Sequence, residues 1–180
     1  LSKRYHVDIS HARRVKKTAL HIFDMVKDNW GINNENNRSL LLWSAVLHEV
    51  GLNISFHGIE KHSAYILQYS DLPGFSHEDQ QLLSFIVRFQ RRSMKRSIAE
   101  EIKVGDLSLA LKLTRILRIA ILFQLNRQST PVAPFKCQVH SSSMSLSFLP
   151  RTLENDEILN TALEKEANYL SKIAHELTFY

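Results

Sequence analysis

Leu47-His48-Glu49-Val50-Gly51 closes the apolar run Leu40-Leu41-Leu42-Trp43-Ser44-Ala45-Val46, and the fold turns on how this stretch is read. A segment apolar almost all round belongs in the interior, so it reads as the central helix of a helical domain, with Gly51 as its stop. His48 and Glu49 then set an imidazole beside a carboxylate where that helix ends. A second histidine, His62, opens the next helical pattern, His62-Ser63-Ala64-Tyr65-Ile66-Leu67. Titratable side chains on consecutive helices point to a metal site or to the remains of one.

Upstream, Ala12, Val15, Ala19, Ile22, Phe23, Val26 and Trp30 recur at threes and fours, with Asp8 or Ser10 as the cap and Gly31 as the stop. His11 lies four residues before Val15 and leans toward the buried face. Asn36 or Asn37 is expected to cap the central helix. Downstream, a short helix is expected over about Glu60 to Tyr69. Asp71-Leu72-Pro73-Gly74-Phe75 is a tight turn, and Ser76 with Asp79 forms a capping box ahead of Leu82, Leu83, Phe85, Ile86 and Phe89. Asp106 caps a helix predicted to run to about Gln128, and Pro131 and Pro134 mark a linker. The period then changes to two: Phe135, Cys137 and Val139, then Met144, Leu146 and Phe148, predict a hairpin through Ser141 to Ser143. A last helix is expected from about Leu153 to His175, with Ile158 on its inner side. The fold class is therefore mainly α: a helical domain over residues 1–130, then a small α+β subdomain of hairpin plus helix over residues 131–180.

With 180 residues, 44% of them apolar and 23% charged, the chain has the composition of a globular domain large enough to bury a core. It contains no run of about 18 apolar residues, so no membrane span is expected. Its single cysteine, Cys137, excludes an internal disulfide and a cysteine-built zinc site and suits a reducing compartment, so a cytoplasmic location is expected. The first residue is Leu1, which suggests a piece of a longer protein. From Arg88 to Arg118, nine Lys and Arg face only Glu100, Glu101 and Asp106, while the rest of the chain is about neutral. Complementing a helix dipole needs one or two cations at a helix end, so the excess points to a polyanionic partner.

Several motifs together resemble the C-terminal region of the exopolyphosphatase and guanosine pentaphosphate phosphohydrolase (Ppx/GppA) family. They are Arg4-Tyr5-His6-Val7-Asp8, His11-Ala12-Arg13-Arg14-Val15, Leu47-His48-Glu49-Val50-Gly51-Leu52, the His62 to Leu67 segment and, most specifically, Asp71-Leu72-Pro73-Gly74-Phe75. The resemblance is strong over residues 1–127 and weaker beyond. Val87-Arg88-Phe89-Gln90-Arg91-Arg92 directs the reading to the exopolyphosphatase branch, with Gln90 where that branch is expected to carry a histidine. The resemblance implies that two actin-like N-terminal domains, absent from this chain, hold the phosphate loops, Mg²⁺ and the catalytic carboxylate. It also implies that this region grips inorganic polyphosphate, packs on its own N-terminal domains and forms a homodimer. The corresponding region of a guanosine pentaphosphate phosphohydrolase is the alternative. No catalytic residue and no cofactor are expected here; the five glycines are too scattered to build a phosphate loop.

The same segment resembles a degenerate HD-type phosphohydrolase domain. His11 and His48 match two ligand positions of such a site, Glu49 replaces an aspartate, and Ile121 stands where a late aspartate belongs. His11, His48, Glu49 and His62 are accordingly expected as a buried, mutually hydrogen-bonded cluster without a metal. Arg88, Arg91, Arg92, Lys95, Arg96, Arg115 and Arg118 are the expected polyphosphate track. A metal-dependent HD phosphohydrolase and a nucleic-acid-binding module are the other classes, the second weakened because Phe85 and Phe89 sit at core spacing.

Overall fold

The computed structural model describes residues 1–2, 4–94, 97 and 104–180. Its first helix, α1 (Ile9–Val26), is capped by Asp8, whose carboxylate accepts from His11 N at 3.0 Å. The stripe predicted for it is buried, from Ala12 and Val15 to Phe23 and Val26. The central helix α2 (Glu35–Leu47) takes its cap from Asn34, which accepts from Asn37 N at 2.8 Å. Asn36 and Asn37 do not serve as the cap. Asn36 donates to Asp79 at 2.9 Å, and Asn37 is buried and donates to Ile32 O at 3.1 Å.

A 3₁₀ turn, Val50–Asn53, follows α2. Gly51 is not a left-handed stop: positive φ is found at Gly31, Gly58 and Gly74, not there. What Gly51 provides is close approach, since a Cβ at this position would lie 2.5 Å from Ser63 N on α3 (Ile59–Tyr69). The turn after α3 has Phe75 N donating to Leu72 O at 3.1 Å, with Pro73 second and Gly74 third at φ +93. That is the type II geometry, which needs positive φ at its third residue. Helix α4 (His77–Arg88) opens on the expected capping box of Ser76 and Asp79.

Helix α5 (Leu107–Leu122) is capped by Asp106 and ends six residues before the predicted Gln128. It packs on α1 and α4, and α3 packs on α4. Ile22, Phe23, Leu40, Leu83, Phe85, Leu113 and Leu117 fill the space between these helices, each under 2% exposed.

The C-terminal part adds a three-stranded sheet in the order β1-β2-β3. Strands β1 (Phe135–Val139) and β2 (Ser143–Phe148) form the predicted antiparallel hairpin, with Cys137 opposite Leu146. The predicted last helix is divided. A four-residue helix α6 (Thr152–Asn155) gives way at Asp156, whose side chain caps α7 (Glu157–Ser171) by accepting from Leu159 N. After Ala174, at φ +59, the chain forms β3 (Glu176–Phe179), parallel to β2 with Met144 opposite Leu177. Ile158, expected inside, is 71% exposed. Trp30 Nε1 donates to His140 O at 2.8 Å, and one continuous core runs from α1 into the sheet. Among the described residues no helix is long and apolar enough to cross a membrane.

Candidate functional site

The end of α2 is held from two sides. His48 O accepts from Ser63 Oγ at 2.9 Å and from Gln90 Nε2 at 2.7 Å, and Gly51 N donates to the same Ser63 hydroxyl at 2.9 Å. The His48 ring is equally constrained. Its Nδ1 lies 2.8 Å from Ala45 O, and a carbonyl only accepts, so Nδ1 carries the proton and Nε2 keeps its lone pair. That lone pair faces the cluster, 4.0 Å from Glu49 Oε1 and with the His11 ring centroid 5.6 Å from that of His48.

The electrostatics follow from burial and from one arginine. Burial pushes the His48 imidazole down to about 4, and it lowers His11 as well. Both rings are therefore neutral near pH 7. Burial also works to raise Glu49, but the hydrogen bonds and positive charge of Arg127 outweigh it and hold the carboxyl below its ordinary range. Arg127 grips Glu49 with both nitrogens, at 2.9 and 3.0 Å, and reaches Asp8 at 3.3 Å. Its backbone is left-handed at φ +55, and its carbonyl accepts from Arg14 Nη2 at 2.7 Å.

The four predicted cluster residues thus divide. His11, His48 and Glu49 converge, with one ligand atom from each within 4.8 Å of the others. His62 stands apart, half-buried on α3 with its Cβ against Gly51, and Ser63 makes the contact with α2. Nor do the three form a closed hydrogen-bonded set: His11 Nδ1 and His48 Nε2 are buried without a partner among the described residues. As a metal site the arrangement is three-sided. Ile121 lines the cleft without offering a ligand atom, and a guanidinium occupies the carboxylate.

This cluster lies in the wall of a cleft of about 810 Å³ bounded by the end of α2, the segment after α4, the end of α5, and α7. The predicted polyphosphate residues distribute unevenly around it. Arg91 is exposed at the rim, its guanidinium 5.5 Å from the Phe56 ring centroid. Arg92 is exposed beside it, with Nε 3.8 Å from the buried Glu60 carboxylate. Arg88, half-buried, lies 5.5 Å from the Phe89 ring centroid and does not line the cleft. Lys95 and Arg96 lie outside the described residues.

Arg115 and Arg118 differ from the solvent-facing track expected of them. Arg118 is 2% exposed on the cleft floor, bonded through Nε and Nη2 to Glu166 and donating to Phe89 O at 2.6 Å and Arg92 O at 2.8 Å. Arg115 is 3% exposed, stacked on Trp30 at 4.5 Å with Nε donating to Leu111 O at 3.2 Å. Its burial pushes the guanidinium down to about 10. Both share a charge and a stretch of sequence with the rim arginines, but the helix turns them inward.

Arg127, Lys165 and Glu166 line the cleft and were missed. Glu166 had a readable signal: it occupies an inward position of α7 in the series Leu159, Leu163, Glu166, Leu170, and a carboxylate at an apolar position needs a buried cation. Arg127 had none, because it lies beyond the end of α5 and pairs with residues 78 and 119 positions away.

Residues 1–167 match the family described as Ppx/GppA phosphatase, domain III. The chain belongs to the Ppx/GppA phosphatase family. Among its relatives is the guanosine-5'-triphosphate,3'-diphosphate pyrophosphatase of Pseudoalteromonas translucida, 30% identical over 97% of this chain and 35% of the relative. The protein of the same name from Aeromonas hydrophila is 30% identical over 96% of the chain and 35% of its own length. That of Aeromonas salmonicida is 31% identical over 88% and 32%. The chain therefore spans about a third of the length of these Ppx/GppA relatives. In this Ppx/GppA domain the cleft combines a basic rim with the buried Arg118–Glu166 pair.

Proposed function

We propose that this domain is the substrate-holding region of a Ppx/GppA phosphohydrolase that releases terminal phosphate from inorganic polyphosphate, with the bond-breaking groups supplied by other domains of the protein. The observation that carries the reading is Arg91, exposed at the rim with no ion pair among the described residues, in a cleft that Arg92 and Lys165 also line. Guanidinium groups bind phosphate oxygens through two parallel N–H donors, and a row of them holds a chain of like charges at successive positions. Such binding weakens steeply with salt, as counterion release does for nucleic acids.

A second reading, that the substrate is guanosine pentaphosphate, draws on two observations. The relatives are named for guanosine-5'-triphosphate,3'-diphosphate. Phe56, Ile158 and Tyr169 also give the cleft apolar surface, which a purine could cover and a bare phosphate chain could not use.

The test compares phosphate release by the whole protein from long polyphosphate and from guanosine pentaphosphate, with and without Arg91→Glu/Arg92→Glu. A raised KM for long polyphosphate, with short oligomers little affected, is expected. An unchanged KM for long chains in the double variant would remove these arginines from the grip. A loss confined to the nucleotide would favour the second reading.

A further inference from the structure

We propose that Glu60 competes with the ligand for Arg92, drawing that guanidinium back from the cleft and so making the grip on a phosphate chain releasable. The inference rests on the reading of the rim as a polyanion grip and adds to it an anion supplied by the protein itself.

Glu60 is the second residue of α3 and is 4% exposed. A carboxylate removed from water needs hydrogen bonds and a cation beside it. Glu60 is served poorly on both counts. Its Oε2 is buried without a hydrogen-bond partner, and among the described residues its ion pair is with Arg92, whose Nε lies 3.8 Å from Oε1. That distance is too long for a hydrogen bond. The contact therefore does not lock the guanidinium in one orientation; what Glu60 exerts on it is charge. Because the carboxylate is buried, salt screens this attraction much less than it screens attraction between exposed groups.

Arg92 can be shared between two anions. Its side chain is 53% exposed and lines the cleft, whereas Glu60 does not. Its backbone is held: it stands in the left-handed region at φ +64, and its carbonyl accepts from Arg118 Nη2 at 2.8 Å. The guanidinium thus turns about a fixed point, with the Glu60 carboxylate on one side and the cleft on the other. One positive charge cannot neutralise both anions, and carboxylate and phosphate repel each other across it. Arg91 has no counter-anion of this kind among the described residues; its guanidinium lies over the Phe56 ring. The rim therefore sets a contested cation beside an uncontested one. A ligand that has to advance along its site must be bound well enough to stay and weakly enough to move on, and Glu60 supplies the second condition.

The test measures binding of long-chain polyphosphate to the 180-residue chain, which has a continuous core, across a salt series. Glu60→Gln removes the charge at nearly constant volume, and Glu60→Met removes it without leaving an amide to satisfy in the interior; circular dichroism confirms that each variant is folded. Both are expected to lower the dissociation constant by about threefold, the scale of a partly exposed ion pair. The log–log dependence on salt should steepen by up to about one, the contribution of a single phosphate contact. In an Arg92→Gln background the same substitutions should change little, because the contested cation is gone. An equal tightening there would show general repulsion of phosphate by Glu60 and overturn the competition. Unchanged or weaker binding in Glu60→Gln and Glu60→Met, with Arg92→Gln weaker than wild type, would also overturn it while leaving the rim reading in place. Unchanged binding in both Arg91→Glu and Arg92→Gln would overturn the rim reading and this inference with it.

Discussion

Arg118 on the cleft floor and Arg91 on its rim come from one basic stretch of sequence, yet they occupy opposite environments. The first is 2% exposed and bonded to Glu166, Phe89 O and Arg92 O. The second lies in solvent over the Phe56 ring. A cation on the inner side of a helix has to be neutralised and fully hydrogen-bonded, which makes it architecture. A cation just beyond a helix end keeps its charge available to a ligand. Arg118 also links the two, since its bond to Arg92 O fixes the backbone from which a rim cation projects.

The comparison breaks first at Arg118. Arg118→Ala leaves Glu166 buried without its partner and is expected to cost about 3–5 kcal/mol in urea unfolding. A loss below about 1 kcal/mol would place Arg118 energetically with the rim. Replacing both members, as Arg118→Met with Glu166→Leu, should recover most of that loss, because the floor needs the pair balanced more than it needs the pair itself.

Acid provides the next test. His48 titrates at about 4 in the fold against 6.5 as its ordinary value, so between those limits the unfolded chain binds the proton first. Stability is then expected to be highest above about pH 6.5 and to fall by on the order of 3 kcal/mol as the pH drops toward 4. Glu49, held below its ordinary range, contributes stability above its unfolded value that is lost as the pH falls through its folded value. Thermal melts at pH 7 and pH 4.5 should show the decline, and His48→Gln should reduce it. An undiminished decline in that variant would move its origin away from His48.

Gly51→Ala presses a methyl against Ser63 N at the back of the same corner, and a destabilisation of about 2 kcal/mol is expected in chemical denaturation. Wild-type stability in that variant would mean that α2 and α3 separate more easily than their hydrogen bonds suggest. The smallest stability effect is expected at the rim. Arg91→Glu, which leaves the Arg92 cation beside the buried Glu60 carboxylate, should change unfolding free energy by about 0.5 kcal/mol or less, while reducing the salt dependence of polyphosphate binding. A large stability loss there would erase the distinction between floor and rim.

Much of this architecture is legible in the sequence because its signals are local. The stripe of α1, the Ser76 and Asp79 capping box, the Leu72 to Phe75 turn and the alternating hairpin each depend on residues within a few positions of one another. The same holds for His11, whose spacing from Val15 turns it inward. What escaped depends on distance or on competition among similar residues. Three asparagines stand at 34, 36 and 37, and only the geometry of the chain selects Asn34 as the cap. The Arg118 pair closes over 48 residues and the Arg127 pair over 78, and no periodicity records either partner. Strand β3 is four residues long, too short for alternation to distinguish it from the end of a helix.

That last strand has a consequence for how the protein is made. Met144 and Leu146 on β2 pair with Leu177 and Phe179 on β3, and the intervening segment must be synthesised before the partner exists. Until β3 docks, β2 has a partner on one edge only. Open edges of that kind recruit foreign strands. A chain cut short before β3 therefore leaves the edge of β2 that β3 would cover open to foreign strands.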